Sequence, residues 1–542
     1  MNYVGTARPI HDAKGKATGY TKYAGDLSLP NMAYLCMLHS KIPHGYVKAV
    51  HAEKALALPG VYGVYHCLNT TDRKYNRYHS NFDQAYLPNE ECAFNDYVRF
   101  VGDKIGVVAA CDQETAERAA RLVEVEYEEL PFSIGFDDTL AGKNCLEGET
   151  PVRDEYTLEV GKKQESTEGL IEVCSTMELP RLHHATMETH ACIADYDPYI
   201  DMLTVYCPNQ AVHGIRTVLA DYLEMPESHV RVIKATMGGS FGAKQEWFLE
   251  PVAALVAKKL CCPVKLVYSR GEAMTDTIVR GAMRMSARGY YTPDGEMKEI
   301  YCDVTLDAGA YIGNAGDYIR ALAGKPTRCY RIPYMHYHGQ VISSNSPVSG
   351  AFRSWSAAEE ALMMERQIDA AAEKLGIDRL TIRLKNVAHA GEEDKKLHLS
   401  LEDIRIGDAI TLGSEKFGWD KLKAEDAAFN ASQQRYRRGV GIGIGGHGNT
   451  YFPRFNDYGE GSISLNADGS MQANFTLHDH GCGTVTAMRM IAAEVLKVPE
   501  DKIYMTEGDT AVTPIDYGCF ASRTTYVVGR AVQDAASALR KK

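Results

Sequence analysis

Met237-Gly-Gly-Ser-Phe-Gly-Ala-Lys-Gln245 is a glycine-rich stretch between two segments of different periodicity. Before it, Val230-Arg-Val-Ile-Lys-Ala235 is β-branched and alternating, as in a half-buried strand. After it, Glu250-Pro-Val-Ala-Ala-Leu-Val-Ala-Lys-Lys-Leu260 carries apolar residues at helical spacing. A glycine loop at a strand-to-helix junction lets the backbone approach a ligand and turns N–H groups toward an anion or a polar cofactor. On its own, a Gly-Gly-x-x-Gly is more often a tight turn needed for packing. The rest of the chain decides between the two.

At 542 residues the chain exceeds a single core, which rarely grows past roughly 250–300 residues, so several domains are expected. The net charge of -12 disfavours nucleic acid and anionic membrane as partners. No apolar run approaches the ~18 residues of a membrane span. The segment Met1 to Pro9 lacks the apolar region of a secretory signal, and a cytoplasmic location is expected. None of the 14 cysteines forms a Cys-x-x-Cys pair, and the adjacent Cys261-Cys262 fit neither zinc nor an iron–sulfur cluster. Most are expected to be reduced, buried small hydrophobes. If the protein moves electrons, the carriers that relay them lie elsewhere.

Residues 1–135 read as one mixed unit, with strands at Leu35 to Ser40, Ile105 to Ala110 and Val123 to Tyr127 and a helix from Gln113. Residues 136–170 are polar, glycine-rich and without clear period, and read as a linker. Residues 171–390 alternate strands such as Met202 to Tyr206 with helices such as Ala357 to Lys374. In 391–542, strands are expected at Gly439 to Gly445, Gly461 to Leu465, Met471 to Leu477 and Lys502 to Thr506, with a helix from Val485 to Lys497.

Three further stretches carry chemistry. His183-His-Ala-Thr-Met-Glu-Thr-His190 gathers metal-capable side chains, but its spacing is no standard zinc pattern, and hydrogen-bonding roles are the plainer reading. Gly350-Ala-Phe-Arg-Ser-Trp-Ser356 sets Arg353 and Trp355 just before a helix, where a guanidinium can meet an anionic or oxo group; a surface ion pair is the dull alternative. His478-Asp-His-Gly-Cys-Gly-Thr-Val485 and Tyr517-Gly-Cys-Phe-Ala-Ser-Arg-Thr-Thr525 both lead into helices, whose first N–H donors can hold a phosphate or the polar edge of a pterin. With the first glycine loop they point to a large, anionic cofactor held by many contacts.

In this order the segments resemble the molybdenum-cofactor subunit of the xanthine dehydrogenase / aldehyde oxidase family, over nearly the whole chain. Asp12 to Gly19, Ile42-Pro-His-Gly45, Leu58-Pro-Gly-Val61, Phe100 to Ile105 and Val125 to Pro131 are similar to its hammerhead domain. Met187 to Ala191, the Gly-Gly-Ser-Phe-Gly loop, Ser269-Arg-Gly-Glu272, Ala351-Phe-Arg353, Asp479 to Gly483 and Ala521 to Thr524 follow colinearly. The resemblance implies an α+β chain: a hammerhead-like α/β domain, then two mixed α/β molybdopterin-binding domains, the last truncated. It implies a molybdenum–pterin cofactor (molybdopterin or its cytosine dinucleotide form) with no protein side chain on the metal, and iron–sulfur and FAD partner subunits.

By position, Gly239, Phe241 and Gly242 would face the metal's ligands, with Gln210 or its neighbour Asn209 nearby. Arg353, Gly481, Cys482, Ala521, Ser522, Arg523 and Thr524 would hold the cofactor, and Gln245, Arg320 and Trp355 the substrate. The sequence departs from the family where Ser240, Ala243, Ser354 and Ser356 replace glycines and Cys482 replaces a glutamine; the spacing to Cys329-Tyr330 is one residue longer. Members also extend past the position matching Lys542, and the Gly-Glu-Pro glutamate that acts as general base there has no counterpart triplet in this sequence. The expectation is a hydroxylase of heteroaromatic (purine- or nicotinate-like) or aldehyde carbons that is inactive without that segment, which a separate chain could supply. The alternatives are a catalytically silent binding or assembly subunit and a metallohydrolase built on His183 to His190.

Overall fold

The strand that feeds the glycine loop, Val230–Lys234, is the outer strand of a seven-stranded mixed sheet in a computed structural model, which describes residues 3–78, 88–146, 150–432, 435–449 and 456–541. Moving inward, it is followed by Met202–Cys207, Ala191–Asp197, Val264–Val267, Ala33–His39, Lys104–Ala110 and Val61–His66. The last three come from the N-terminal third of the chain, and Leu35 pairs with Leu266 in parallel register across the join. One core serves both parts: Leu35, Val107, Cys192, Leu203 and Leu266 share it with Val252 and Val256 of the helix Glu250–Leu260. The hammerhead strands are therefore not closed off before residue 136; their hydrogen bonds continue into the following unit.

A second, five-stranded sheet orders Val152–Gly161, Tyr334–Ile342, Met297–Asp307, Ala282–Tyr291 and Ile171–Leu179, and the helices Ala315–Ala323 and Ala357–Leu375 pack against it. Its edge strand Val152–Gly161 lies inside the stretch read as a linker. The error is physical: an edge strand meets the core on one side only. Tyr156, Leu158 and Val160 alternate with exposed Glu155, Thr157 and Glu159, and that charge hides the period.

The third unit is a sheet of Gly461–Leu465, Met471–Phe475 and Ile503–Thr506 under the helices Thr484–Leu496 and Thr524–Lys541. Tyr3 is buried in this core, its N–H donates to Glu494 Oε2 (2.6 Å), and His11 N–H donates to Thr486 Oγ1 (2.9 Å). The first residues thus belong to the last unit. The third unit meets the large sheet at Val230–Lys234: Arg231 grips Asp509 with both arms of its fork (3.0 and 2.7 Å), and Thr510 N–H donates to Val232 O (3.1 Å).

Two expectations fail locally. Gly439 to Gly445 forms no strand; Ile442 and Ile444 pack on the second core, but the intervening glycines offer neither side chains nor a paired ladder. All 14 cysteines are free, but only Cys92, Cys192, Cys207, Cys302, Cys329 and Cys519 are buried. Cys261 turns out to solvent because it ends its helix in the left-handed region (φ 52°). No described helix is long and apolar enough to cross a membrane.

The shared sheet makes a prediction. Leu266→Ala removes a buried contact between the two parts and should cost about 2–5 kcal/mol. Hydrogen exchange should then speed up together in Ala33–His39 and Ala191–Asp197. Faster exchange confined to residues after 190 would show that the N-terminal strands fold on their own.

Candidate functional site

Within the glycine loop, Gly239, Phe241 and Gly242 all take positive φ (93°, 56° and 106°). Gly242 needs it twice over, because a Cβ there would fall 2.5 Å from Ala351 O. The left-handed turn at Phe241 leaves its ring half exposed, 49 %. The loop is held from behind. Glu188 accepts the Gly238 N–H (2.7 Å) and the buried Lys244 ammonium (2.5 Å). Gln210 is buried, its N–H donates to Lys244 O (2.9 Å), and its side-chain oxygen accepts from the Ser240 hydroxyl. The same residue reaches the C-terminal loop: its amide nitrogen donates to Cys519 O, and Cys519 N–H donates to Gln210 O (2.9 Å). Asn209, the neighbour in alternative register, instead donates to Glu246 O (2.9 Å) and faces away from the loop.

The arginine loop is strapped onto the glycine loop. Arg353 N–H donates to Phe241 O (2.7 Å) and Ala351 N–H to Glu246 Oε1 (3.2 Å), while His184 Nε2–H donates to Ala351 O (2.8 Å). Phe352 lies between the His184 ring (4.1 Å, 28°) and the Arg280 guanidinium (4.3 Å); Arg280 also pairs with Glu359 and donates to Arg353 O (2.5 Å). Ser354 and Ser356 hold φ of 76° and 65°, the conformation glycine adopts without strain. The Arg353 side chain is exposed and hydrogen-bonds to no described residue. Trp355 packs against both large cores and meets Tyr318 edge-on at 5.4 Å. Burial pushes the Glu246 carboxyl up to about 8.

In the third unit Asp479 folds its loop around itself, accepting from Gly481 N–H (2.8 Å), Gly483 N–H (3.3 Å) and Val485 N–H (3.3 Å). Gly481 (φ 101°) faces open space, and Cys482 is exposed, its sulfur 2.9 Å from Thr484 Oγ1. Ala521 and Ser522 are consecutive left-handed residues, and Ser522 is exposed. The expected cofactor residues Arg523 and Thr524 turn their side chains inward. Arg523 is fully buried and its fork is saturated by Asp516 (2.8 Å), Asp457 (2.7 Å), Gly518 O (3.1 Å) and Tyr458 O (2.8 Å). Thr524 turns its hydroxyl to Cys519 Sγ (3.2 Å). Both shape the loop from within.

Arg320 is taken up by Asp154 in a bidentate pair (2.5 and 2.8 Å). It leaves the helix Ala315–Ala323 on the side opposite Tyr318, which touches Trp355, because residues two apart on a helix do not share a face. Among the described residues no group of three His, Cys, Asp or Glu is placed to hold a metal, and the histidines of 183 to 190 take hydrogen-bonding roles. His183 bonds Thr277 (3.0 Å), while His184 and His190 brace the carbonyls of Ala351 and Ala243 (2.8 and 2.9 Å). Gln245, half-buried at the loop's end, has no side-chain hydrogen bond to a described residue. Sequence reasoning did not assign the bracing roles of Glu188, Ser240, Glu246 and Arg280, which depend on partners distant in the chain.

Burial holds His184 at about 4 and His190 at about 3, below the ordinary imidazole value near 6.5. Between those values the unfolded chain binds protons that the folded chain refuses, so stability falls as pH drops below about 6.5. His190→Gln keeps a donor for Ala243 O but cannot titrate. Its urea midpoint should fall less steeply from pH 7 to pH 4.5 than that of the parent; equal slopes would remove His190 from the account.

Comparison with known proteins places this geometry. Residues 18–131 match the aldehyde oxidase and xanthine dehydrogenase a/b hammerhead domain, and residues 149–387 and 412–542 match molybdopterin cofactor-binding domains. The chain is 30% identical over 547 residues to the xanthine dehydrogenase molybdenum-binding subunit of Escherichia coli O157:H7, covering 98% of this chain and 71% of that one. It is 31% identical over 384 residues to the nicotinate dehydrogenase large molybdopterin subunit of Eubacterium barkeri, covering 70% of this chain and 88% of that one. Quinoline 2-oxidoreductase from Pseudomonas putida 86 shares the fold with a TM-score of 0.91 at 23% identity, over 100% of this chain and 71% of that one. With its hammerhead strands, glycine loop and helix-leading loops in the family's order, the chain belongs to the molybdenum-binding subunits of the xanthine dehydrogenase and aldehyde oxidase family.

Proposed function

We propose that this chain holds a molybdenum–pterin cofactor where its glycine, arginine and C-terminal loops converge, and presents to it a small heteroaromatic (purine- or nicotinate-like) or aldehyde substrate. The observation that carries this is the exposed Arg353 guanidinium, held by its backbone to Phe241 O with no described partner for its fork. The residues fit the group. Gly481 and Ser522 are open to the surface, and the positive-φ backbone at Gly239 to Gly242 admits a close approach. When bound, the cofactor would supply the oxidation, with oxygen taken from water and electrons passed to iron–sulfur and FAD subunits.

The chain's own residues bind and orient. Arg353 would anchor an anionic or oxo group, with Gly239, Phe241, Gly242, Gly481, Cys482, Ala521 and Ser522 lining the cradle. Gln210 holds two of its walls together. Gln245 would hydrogen-bond a ring heteroatom, and Trp355 would give an aromatic face against which a planar substrate stacks. Both suit a heterocycle, and nicotinate is the substrate named in one relative. Glu188, Glu246 and Asp479, the acids next to the loops, each brace a loop, so none is assigned as the base that accepts the reaction's proton. Tyr504 and Leu465 are exposed on the third unit's sheet, a surface suited to a partner chain.

If Arg353 anchors the cofactor, Arg353→Ala should lower the molybdenum content of the purified complex with its circular dichroism unchanged, and Arg353→Lys should restore only part, because an ammonium lacks the planar fork. Full molybdenum in the alanine variant would end that role.

Gln245→Ala and Trp355→Ala should lower kcat/KM for heteroaromatic substrates, the former by the ~0.5–1.5 kcal/mol of a lost hydrogen bond. Unchanged constants in both variants would place the substrate elsewhere.

A further inference from the structure

Behind the Trp355 indole lies a buried ammonium that the expected chemistry does not use. Lys325, 5 % exposed, stands at the start of the short helix Pro326–Cys329. Its Nζ donates to Trp355 O (2.7 Å) and Ser356 Oγ (2.5 Å). Ser356 is fully buried, sits in the left-handed region, and opens the helix Ala357–Leu375. A non-glycine residue in that conformation stays there only when its surroundings hold it. The holding group is the Lys325 ammonium, on its hydroxyl, while the Tyr318 ring braces the neighbouring indole.

Ion pairing alone would send this ammonium to the nearest carboxylate. Glu360, one turn into the helix and itself buried, is its counter-charge, yet the hydrogen bonds go to the Trp355 carbonyl and the Ser356 hydroxyl. We propose that Lys325 is a positioning residue that fixes the backbone at Trp355 and Ser356 and thereby the pose of the indole. The inference deepens the proposed function, since it rests on Trp355 as the wall against which substrate stacks.

The clamp is sensitive to protonation. Burial pushes Lys325 down to about 7 against the field of Glu360, whose own carboxyl burial raises. The other charged groups around the pair are Arg328, Lys396, Glu365 and His447. Below about pH 7 the ammonium forms; above it a neutral amine makes hydrogen bonds roughly half as strong. The clamp therefore tightens as pH falls through neutrality.

Fluorine NMR on the full chain labelled with fluorotryptophan tests this. The chain has three tryptophans, and Trp355→Phe assigns the signal. In the parent the Trp355 resonance should titrate near pH 7. Lys325→Met should shift it and abolish the titration, Lys325→Arg should abolish the titration alone, and Glu360→Gln should move the midpoint down. His447→Asn should leave the midpoint in place. A Trp355 signal that ignores both Lys325→Met and Glu360→Gln, or a midpoint that follows His447, overturns the proposal; if Lys325→Met does not fold, Lys325→Arg and Glu360→Gln decide alone. In the complex assayed with nicotinate, hypoxanthine and quinoline, Lys325→Met should raise KM about two- to tenfold with kcat changing less. A shifted resonance with unchanged KM would uphold the positioning role and refute Trp355 as the substrate wall.

Discussion

The carboxamide of Gln210 is the one group through which three separate loops are fixed to each other. It is buried, its oxygen takes the Ser240 hydroxyl and its nitrogen gives to Cys519 O, while its backbone bonds Lys244 and Cys519. A buried amide with a missing partner costs roughly 1–3 kcal/mol, so the bonds at this residue stand or fall together. Any change in the spacing of the first glycine loop would be felt, through Gln210, in the C-terminal loop at Cys519. Ser240 is the local novelty here: a glycine at that position could not engage the carboxamide oxygen.

Around this junction, buried charges do the shaping. Arg523, Lys244 and Arg280 are each met by carboxylates or carbonyls. A buried pair broken on one side costs about 3–5 kcal/mol, which makes such groups rigid struts. Arg353 differs in being fixed only through its backbone. The contrast separates arginines whose side chains build the loops from one whose side chain stays exposed.

Much of this was legible in the sequence where local physics is sufficient. The strand, glycine loop and helix around residue 240 formed as periodicity predicts, as did the helix Gln113–Ala120 and the strands of the third unit at Gly461–Leu465 and Ile503–Thr506. What escaped depends on partners far away in the chain. The side-chain partners of Arg523 and Arg320 were not readable, because a sequence cannot show that Asp516, Asp457 and Asp154 fold onto them. The strand Val152–Gly161 was hidden by the charge of an edge, and the sequence could not show which carbonyls His184 and His190 would donate to. Ser354 and Ser356 were visible as departures from glycine, but only the backbone showed that both keep the glycine conformation.

The burial of Tyr3 against Glu494 and the last helices bears on how the chain is made. Synthesis proceeds from the N-terminus at about 5–20 residues per second, so on the order of a minute separates the emergence of Tyr3 from that of its binding groove. Through that interval the leading segment has no native place to go. The Tyr3 segment can therefore take its native place only on a chain whose third unit has already formed.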